Sequence, residues 1–373
     1  MAMAAAGLSG LASNAPAPLF DAAFAQQRPM QGGAGRTGGP DAARSRLPII
    51  DVHTHLHPPT GKGRDIRMDW DGAARSAIGA MDKFGVRLSV IMSPPMSPER
   101  AGRYEIADLL AAAKRHPDRF AVMAGGSTLN PMIQSAAKSG EIGAKLRRQF
   151  EQVAEDLLRQ GAIGFGEMTA LHFSLFEQHP FEEVSPDHPL FLLLSDIAAR
   201  HDVPIDLHVE VVTERFEVPV ALHGNSARNP SHVAENLRAF ERLLAHNRGA
   251  KIVWDHLGMD TTNQRTPELT RRLLREHPNL YIGISPKGGP LVRNWLMQKG
   301  RGLNPDWRAV IVEFPDRFVI GTDSFYQPDA PTLQMPVAAP LAPRLVHQLP
   351  PRVARMVAYE NAQRIFGIPP VAR

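Results

Sequence analysis

From residue 49 onward the chain repeats one pattern, and that pattern most limits what it can fold into. A short run of β-branched and aliphatic residues is followed by a longer amphipathic stretch. The runs are eight in number and cover 49–53, 87–92, 120–124, 162–167, 204–208, 251–255, 280–284 and 318–322. The stretches between them predict helices near 71–84, 102–115, 144–159, 187–201, 231–247, 266–276 and 305–314, with a last helix over 352–366. Strands that alternate with helices pair in parallel through crossover connections. Three junctions close a helix with proline and enter a strand: His116-Pro117-Asp118-Arg119-Phe120, His277-Pro278-Asn279-Leu280 and Phe314-Pro315-Asp316-Arg317-Phe318. Eight units in residues 49–366 give about 40 residues each, which fits an α/β chain folded as a (β/α)8 TIM barrel. A doubly wound sheet would call for G-x-G-x-x-G after the first strand, and none is there.

The expected barrel covers 49–368, followed by a C-terminal tail at 369–373. Residues 1–48 are rich in Ala, Gly and Pro and read as a signal-like or disordered tail. Ala22-Ala23-Phe24-Ala25-Gln26 resembles an export cleavage site, with Ala23 and Ala25 in the A-x-A positions, but no Lys or Arg precedes Arg28. Two expectations stand side by side. Either the protein is exported to the periplasm, with the basic part of its signal upstream of Met1, or it is cytoplasmic with a disordered arm.

Composition narrows the chemistry. There is no cysteine, which excludes a disulfide framework, a Cys-based zinc finger, a thiolate-held iron–sulfur cluster and a thiol nucleophile. Any metal must be held by nitrogen and oxygen, and 15 histidines supply material. Lys and Arg exceed Asp and Glu by 42 to 38 without forming a basic block, so no nucleic-acid partner is expected. No apolar stretch approaches the roughly 18 residues that would cross a bilayer. The expected partner is a small-molecule substrate; assembly into a homo-oligomer stays open.

The densest polar feature is Asp51-Val52-His53-Thr54-His55. Residues two apart on a strand share a face, so Asp51, His53 and His55 should point to the barrel axis and Ile50 and Val52 to the helices. Pro58-Pro59 should end the strand before His57 takes part. An H-x-H pair alone also fits surface histidines at a strand end. The other strands strengthen it: Glu167 closes the fourth, His208 the fifth and His256 the sixth, and Asp323 stands at the tip of the eighth. Four histidines and two carboxylates then share the C-terminal rim, where barrel enzymes place their sites. Long connections at 168–186, 209–230, 285–303 and the Pro-rich 328–343 would surround it.

This order of residues resembles the amidohydrolase superfamily of metal-dependent barrel hydrolases. The nearer likeness is to the amidohydrolase-related branch (amidohydrolase 2), which includes decarboxylases and lactone hydrolases. Residues 50–55, 251–258 and 317–324 and the ending Tyr359-Glu360-Asn361-Ala362-Gln363-Arg364-Ile365-Phe366-Gly367 carry the likeness, which spans 49–368. It implies that His53, His55 and Asp323 hold a first metal. His208 and His256 would hold a second or position the substrate. Glu167 stands where many members carry a carboxylated lysine, and as a carboxylate it could bridge two ions. The implied cofactor is one or two divalent ions, Zn2+ first, with Mn2+, Fe2+, Co2+ or Ni2+ as alternatives.

The implied reaction uses metal-activated water on an amide, ester or lactone bond of a small molecule. Asp323 and His256 would be catalytic, with Asp323 moving the proton from water to the leaving group. A non-oxidative decarboxylase on the same barrel is the alternative within enzymes, and a catalytically silent binding barrel the alternative outside them. His172, His223, Arg228 and Lys287 lie on rim loops and are candidates for substrate contact, as are His179, His188, Arg293 and Trp295. Each of these also reads as a solvated loop residue. His116, His201, His246 and His277 fall at helix C-ends, where a donor side chain suits the helix dipole.

Overall fold

The structure, a computed structural model, describes residues 47–61, 65–102, 104, 106–175, 177, 179–288, 292–298, 300–328 and 339–370. The signal-like tail lies outside the described residues except for Leu47 and Pro48, as do most of the Pro-rich segment after the eighth strand and residues 371–373.

Eight parallel strands form a ring. They are β1 (Ile49–Leu56), β2 (Val86–Ile91), β3 (Phe120–Val122), β4 (Phe165–His172), β5 (Pro204–Val209), β6 (Lys251–Leu257), β7 (Leu280–Ile284) and β8 (Phe318–Ile320). Each pairs with its successor from β4 round through β8 and β1 to β3. The last seam closes in an unusual way. The β3 segment breaks at Met123 and resumes as Ala124–Gly125, which pairs with β4. Met123 N donates to Ile91 O on one side, and Ala124 N donates to Gly164 O on the other, both at 3.1 Å. The eighth segment likewise resumes as Ser324–Tyr326, alongside the end of β1. Among the described residues the ring is thus nearly closed, which leaves little exposed edge.

Helices follow the strands as the pattern demands: Trp70–Phe84, Ile106–Arg115, Ala144–Gln160, Pro189–Arg200, Leu237–His246, Pro267–Glu276, Pro305–Glu313 and Asn361–Phe366. Proline occupies the first turn of three of these, where its missing N–H is no loss. Leu129–Ser139 is a helix the sequence pattern did not show, because Pro131 sits in its first turn and reads as a breaker. The predicted helix at 231–247 begins only at Leu237, since His232–Val233 pairs with Phe216–Glu217 as a small hairpin over the rim.

Outward side chains of the ring, including Ile205, Leu207, Ile252, Trp254, Ile282 and Ile320, pack against Phe191, Leu194, Phe240, Leu273 and Trp307 of the helices. Each large aliphatic or aromatic group buried there contributes about 1.5–3 kcal/mol. Inside the ring Ile50, Val52, Leu88, Val90, Val253, Tyr281 and Val319 form a second apolar cluster, covered by Ile365 and Phe366 of the last helix. This plug fills the lower barrel and leaves the polar side chains above it at the C-terminal rim.

The plug corrects the expectation for β1. Ile50 and Val52 point into the barrel rather than to the helices, and Asp51 points away from the axis. The Asp51 carboxylate accepts from Thr322 N at 2.9 Å, from Thr322 Oγ1 at 2.6 Å and from His53 N at 3.3 Å, tying β1 to the segment beyond β8. The cause is a bulge: between Asp51 and Thr54 the register against β2 slips, so three steps along β1 match two along β2. The extra residue puts Val52 and His53 on the same side. A Cβ on Gly321 would meet both, His53 Cβ at 3.1 Å and Val52 Cγ2 at 3.7 Å. His53 and His55 therefore reach the axis as expected, by a local break in alternation.

Candidate metal centre

The two β1 imidazoles are fixed by what their Nδ1 atoms meet. His55 Nδ1 lies 3.0 Å from the carbonyl of Met92, which can only accept, so the proton sits on Nδ1. His53 Nδ1 faces the Asp206 carboxylate at 3.0–3.1 Å. In the neutral rings both Nε2 atoms then carry lone pairs, and these stand 3.1 Å apart. Two lone pairs so placed repel unless a cation lies between them. Glu167 Oε2 is 3.4 Å from His55 Nε2 and 3.5 Å from His53 Nε2, and Asp323 Oδ1 is 3.4 Å from His55 Nε2. Asp323 Oδ1 is 3.9 Å from His53 Nε2; donors about 2.1 Å from one ion stand roughly 3.0–4.2 Å from each other according to the angle between them, so the set fits a divalent cation. His53, His55 and Asp323 form one candidate ligand group, and His53, Glu167 and His256 another.

Glu167 has a second side. Its Oε1 is 3.0 Å from His208 Nδ1 and 3.2 Å from His256 Nε2. One oxygen faces the β1 pair and the other faces the β5 and β6 histidines, the posture of a carboxylate able to bridge two ions. His256 and Asp323 adopt left-handed backbone, φ 60° and 50°, rare for residues with a Cβ and frequent at functional sites. Asp323 N donates to His53 O at 2.9 Å, which seats the eighth segment against β1.

The charges follow from burial and pairing. Burial disfavours charge on His53, but Asp206 and Glu167 outweigh it and raise its pKa well above the usual imidazole value. His55 and His208 are raised the same way, against burial, by Asp323 and Glu167 and by Glu167 respectively. Burial also opposes ionisation of Glu167, yet the surrounding histidines hold it well below the usual carboxylate range. Asp323 is likewise driven low, against burial, by Lys287 and His55. His256 is pushed down to about 4 by burial and by His208, so it is neutral at ordinary pH. The centre favours positive charge in its middle, which protons supply until an ion replaces them.

All six residues expected on the rim converge. Three others matter that the sequence reading passed over or placed differently. Asp206 has the parity of His208 on β5, and that acidic residue in an apolar strand was the available signal. Asp255, buried beside Asp206, lies 3.8 Å from His53 Nδ1 through Oδ2. Lys287, expected to meet substrate, instead donates to Asp323 Oδ2 at 2.6 Å and to Asp323 O at 2.9 Å. His172 and His179 continue an edge-to-face series of rings from His208, with centroids 4.6 and 4.4 Å apart, and burial keeps both well below the usual imidazole pKa. His223 is half-buried on the short helix Val220–Asn225, and exposed Arg228 donates to the Glu177 carbonyl. Neither is among the groups that converge.

The family model described as amidohydrolase matches residues 50–368. The chain belongs to the amidohydrolase family. It is an enzyme, a metal-dependent hydrolase. No curated protein matches the sequence. Among solved structures, a protein of Lactobacillus casei assigned as a metal-dependent hydrolase superposes with a TM-score of 0.52 at 13% identity, covering 86% of this chain and 96% of the other. A double mutant of the organophosphorus hydrolase of Deinococcus radiodurans gives 0.50 at 15%, covering 86% and 93%. An organophosphate hydrolase engineered from a weak promiscuous lactonase gives 0.50 at 14%, covering 86% and 96%. At such identities the amidohydrolase shares their fold, a closed parallel barrel ringed by helices.

Proposed function

We propose that this amidohydrolase cleaves an ester, lactone or amide bond of a small molecule with water, using Zn2+ or a similar divalent ion. The observation that carries the reading is the pair of imidazole lone pairs 3.1 Å apart, faced by one oxygen each of Glu167 and Asp323. A bound divalent ion supplies Lewis acidity, polarising a carbonyl and lowering the pKa of water toward about 7. Asp323, ionised and facing the two β1 histidines, takes the proton of the attacking water and returns it to the leaving oxygen or nitrogen. His256, neutral, has an Nδ1 with no hydrogen-bond partner among the described residues, and it orients the reacting groups from the Asp323 side at 4.0 Å. Glu167 faces both halves of the centre, one oxygen to each, and would be the shared ligand if two ions were held.

The test is a substrate panel of lactones, esters, amides and organophosphates, run after metal loading with metal content measured on the same sample. Base-consuming turnover of a lactone or ester, or release of an amine from an amide, supports the reading. Release of CO2 from a carboxylic acid without hydrolysis turns it to a decarboxylase. Export is a separate proposal that rests on residues 22–26, and N-terminal sequencing of the mature protein tests it.

A further inference from the structure

Lys287 is placed as no substrate contact need be. Its side chain is 2% exposed, and Nζ spends two of its protons on one residue, Asp323, reaching both the carboxylate Oδ2 and the backbone carbonyl. The Asp323 carboxylate is thereby divided. Oδ1 turns toward His55 and His53, at 3.4 and 3.9 Å, and Oδ2 is held by the ammonium at 2.6 Å. The second contact bears on the backbone, because Asp323 is left-handed and Lys287 fastens its carbonyl in that conformation.

The loop that carries Lys287 is itself held at both ends. Ser285 N donates to Leu257 O at 2.9 Å, and Ser285 Oγ donates to Thr322 O at 3.2 Å, beside Asp323. On the other flank Gly288 has φ 65°, and a Cβ there would stand 2.8 Å from the Trp295 ring, so only glycine lets the indole close over the turn. These contacts leave the ammonium little choice of direction.

We propose that Lys287 is a positioning residue that restricts Asp323 to one ligating oxygen. The inference rests on the metal-centre reading above. A free carboxylate beside a divalent ion can chelate with both oxygens; with Oδ2 engaged, Asp323 offers only Oδ1 and leaves room at the centre for water and the substrate carbonyl. The expected consequence separates this role from simple support of the fold. Removing the ammonium frees Oδ2 to join the ion, so the metal binds more tightly while turnover falls.

The experiment loads wild type, Lys287→Met and Lys287→Gln with Co2+, with folding checked by circular dichroism. Co2+ affinity is measured by chelator competition, and the visible d–d absorption reports coordination number. In Lys287→Met the Co2+ Kd should tighten about tenfold, the scale on which partners of metal ligands act. The d–d absorption should weaken as coordination number rises, and kcat should fall with KM little changed. Lys287→Gln, which keeps a donor without the charge, should shift in the same direction by less, and it carries the test if the Met variant does not fold. Unchanged Co2+ affinity and absorption with a raised KM would make Lys287 a substrate contact and overturn the proposal. Weaker Co2+ binding would overturn it too, by showing that Lys287 only supports Asp323. A wild-type protein that takes up no metal would instead sink the metal-centre reading itself.

Discussion

Asp206 shows how much one side chain outside the expected set can decide. It meets His53 Nδ1 at 3.0–3.1 Å and so fixes the tautomer that turns the Nε2 lone pair toward the centre. Asp206→Asn should keep the fold and weaken metal affinity about 10–100-fold, measured by chelator competition. Asp323→Asn should keep Oδ1 near the imidazoles but remove the proton carrier, lowering kcat roughly 10²–10⁴-fold in steady-state assays. Retention of full kcat would show that another group moves the proton. The four histidines and two carboxylates of the rim were legible in the sequence because each stands at the end of an apolar run. Asp206 and Asp255 were not, and Lys287 was legible only as a rim residue, because their importance lies in which atom they face. A strand position gives the side of the sheet, not the partner across it.

At the scale of elements, two devices aim the ligands. The bulge on β1 lets an apolar residue, Val52, finish the plug and the very next residue, His53, enter the centre. The Asp51–Thr322 bonds then stitch the bulged strand to the eighth segment just before Asp323. Thr322→Val removes the hydroxyl donor and leaves a buried carboxylate less well paired, which should cost about 1–3 kcal/mol in urea unfolding. On β6 the register to β7 slips between Trp254 and Leu257, around left-handed His256. Arg265, buried, lies 3.7 Å over the Trp254 ring and donates to the carbonyls of Trp254 and Asp255, clamping the strand where it turns. Arg265→Ala should destabilise the fold by roughly 3 kcal/mol, since both carbonyls and the indole face lose their partner. The helices were legible from their period, but both slips were hidden, because they reflect how neighbouring strands of a closed ring must fit each other.

For the whole molecule, the pKa shifts predict how the metal-free protein responds to pH. Above about pH 7.5, a unit past the ordinary imidazole value, the lowered histidines, among them His256 and His57 at about 4 and His179 at about 3, are essentially neutral both folded and unfolded and contribute little slope. The raised groups still titrate there. His53, His55 and His208 bind protons more tightly folded than unfolded, as do Glu182 and Glu210, each raised to about 7 chiefly by burial. Their contribution is present below the unfolded pKa and is lost as pH rises through the folded one. The Tm of metal-free protein should therefore fall from pH 7.5 to 8.5. Metal-loaded protein should show a shallower fall, because the ion replaces the protons of the central histidines and adds its own binding energy, while Glu182 and Glu210 still titrate. Calorimetry of both forms across that range checks it; parallel curves would mean that the centre does not exchange protons for metal.

The sequence by itself determined the architecture and the rim. Eight alternating units admit one closed parallel solution with helices outside, and polar residues at the ends of apolar strands have only the C-terminal mouth to occupy. Among the described residues no helix is long and apolar enough to cross a membrane, in line with the hydropathy. Only the tertiary structure decided which face of β1 is inside, how the ring closes through Met123, and which oxygen of Asp323 Lys287 holds. Those outcomes depend on contacts between residues far apart in the chain, Asp51 with Thr322, His53 with Asp206, Lys287 with Asp323. Local periodicity reports the burial of each residue, and directional bonds such as these exist only once the barrel has closed.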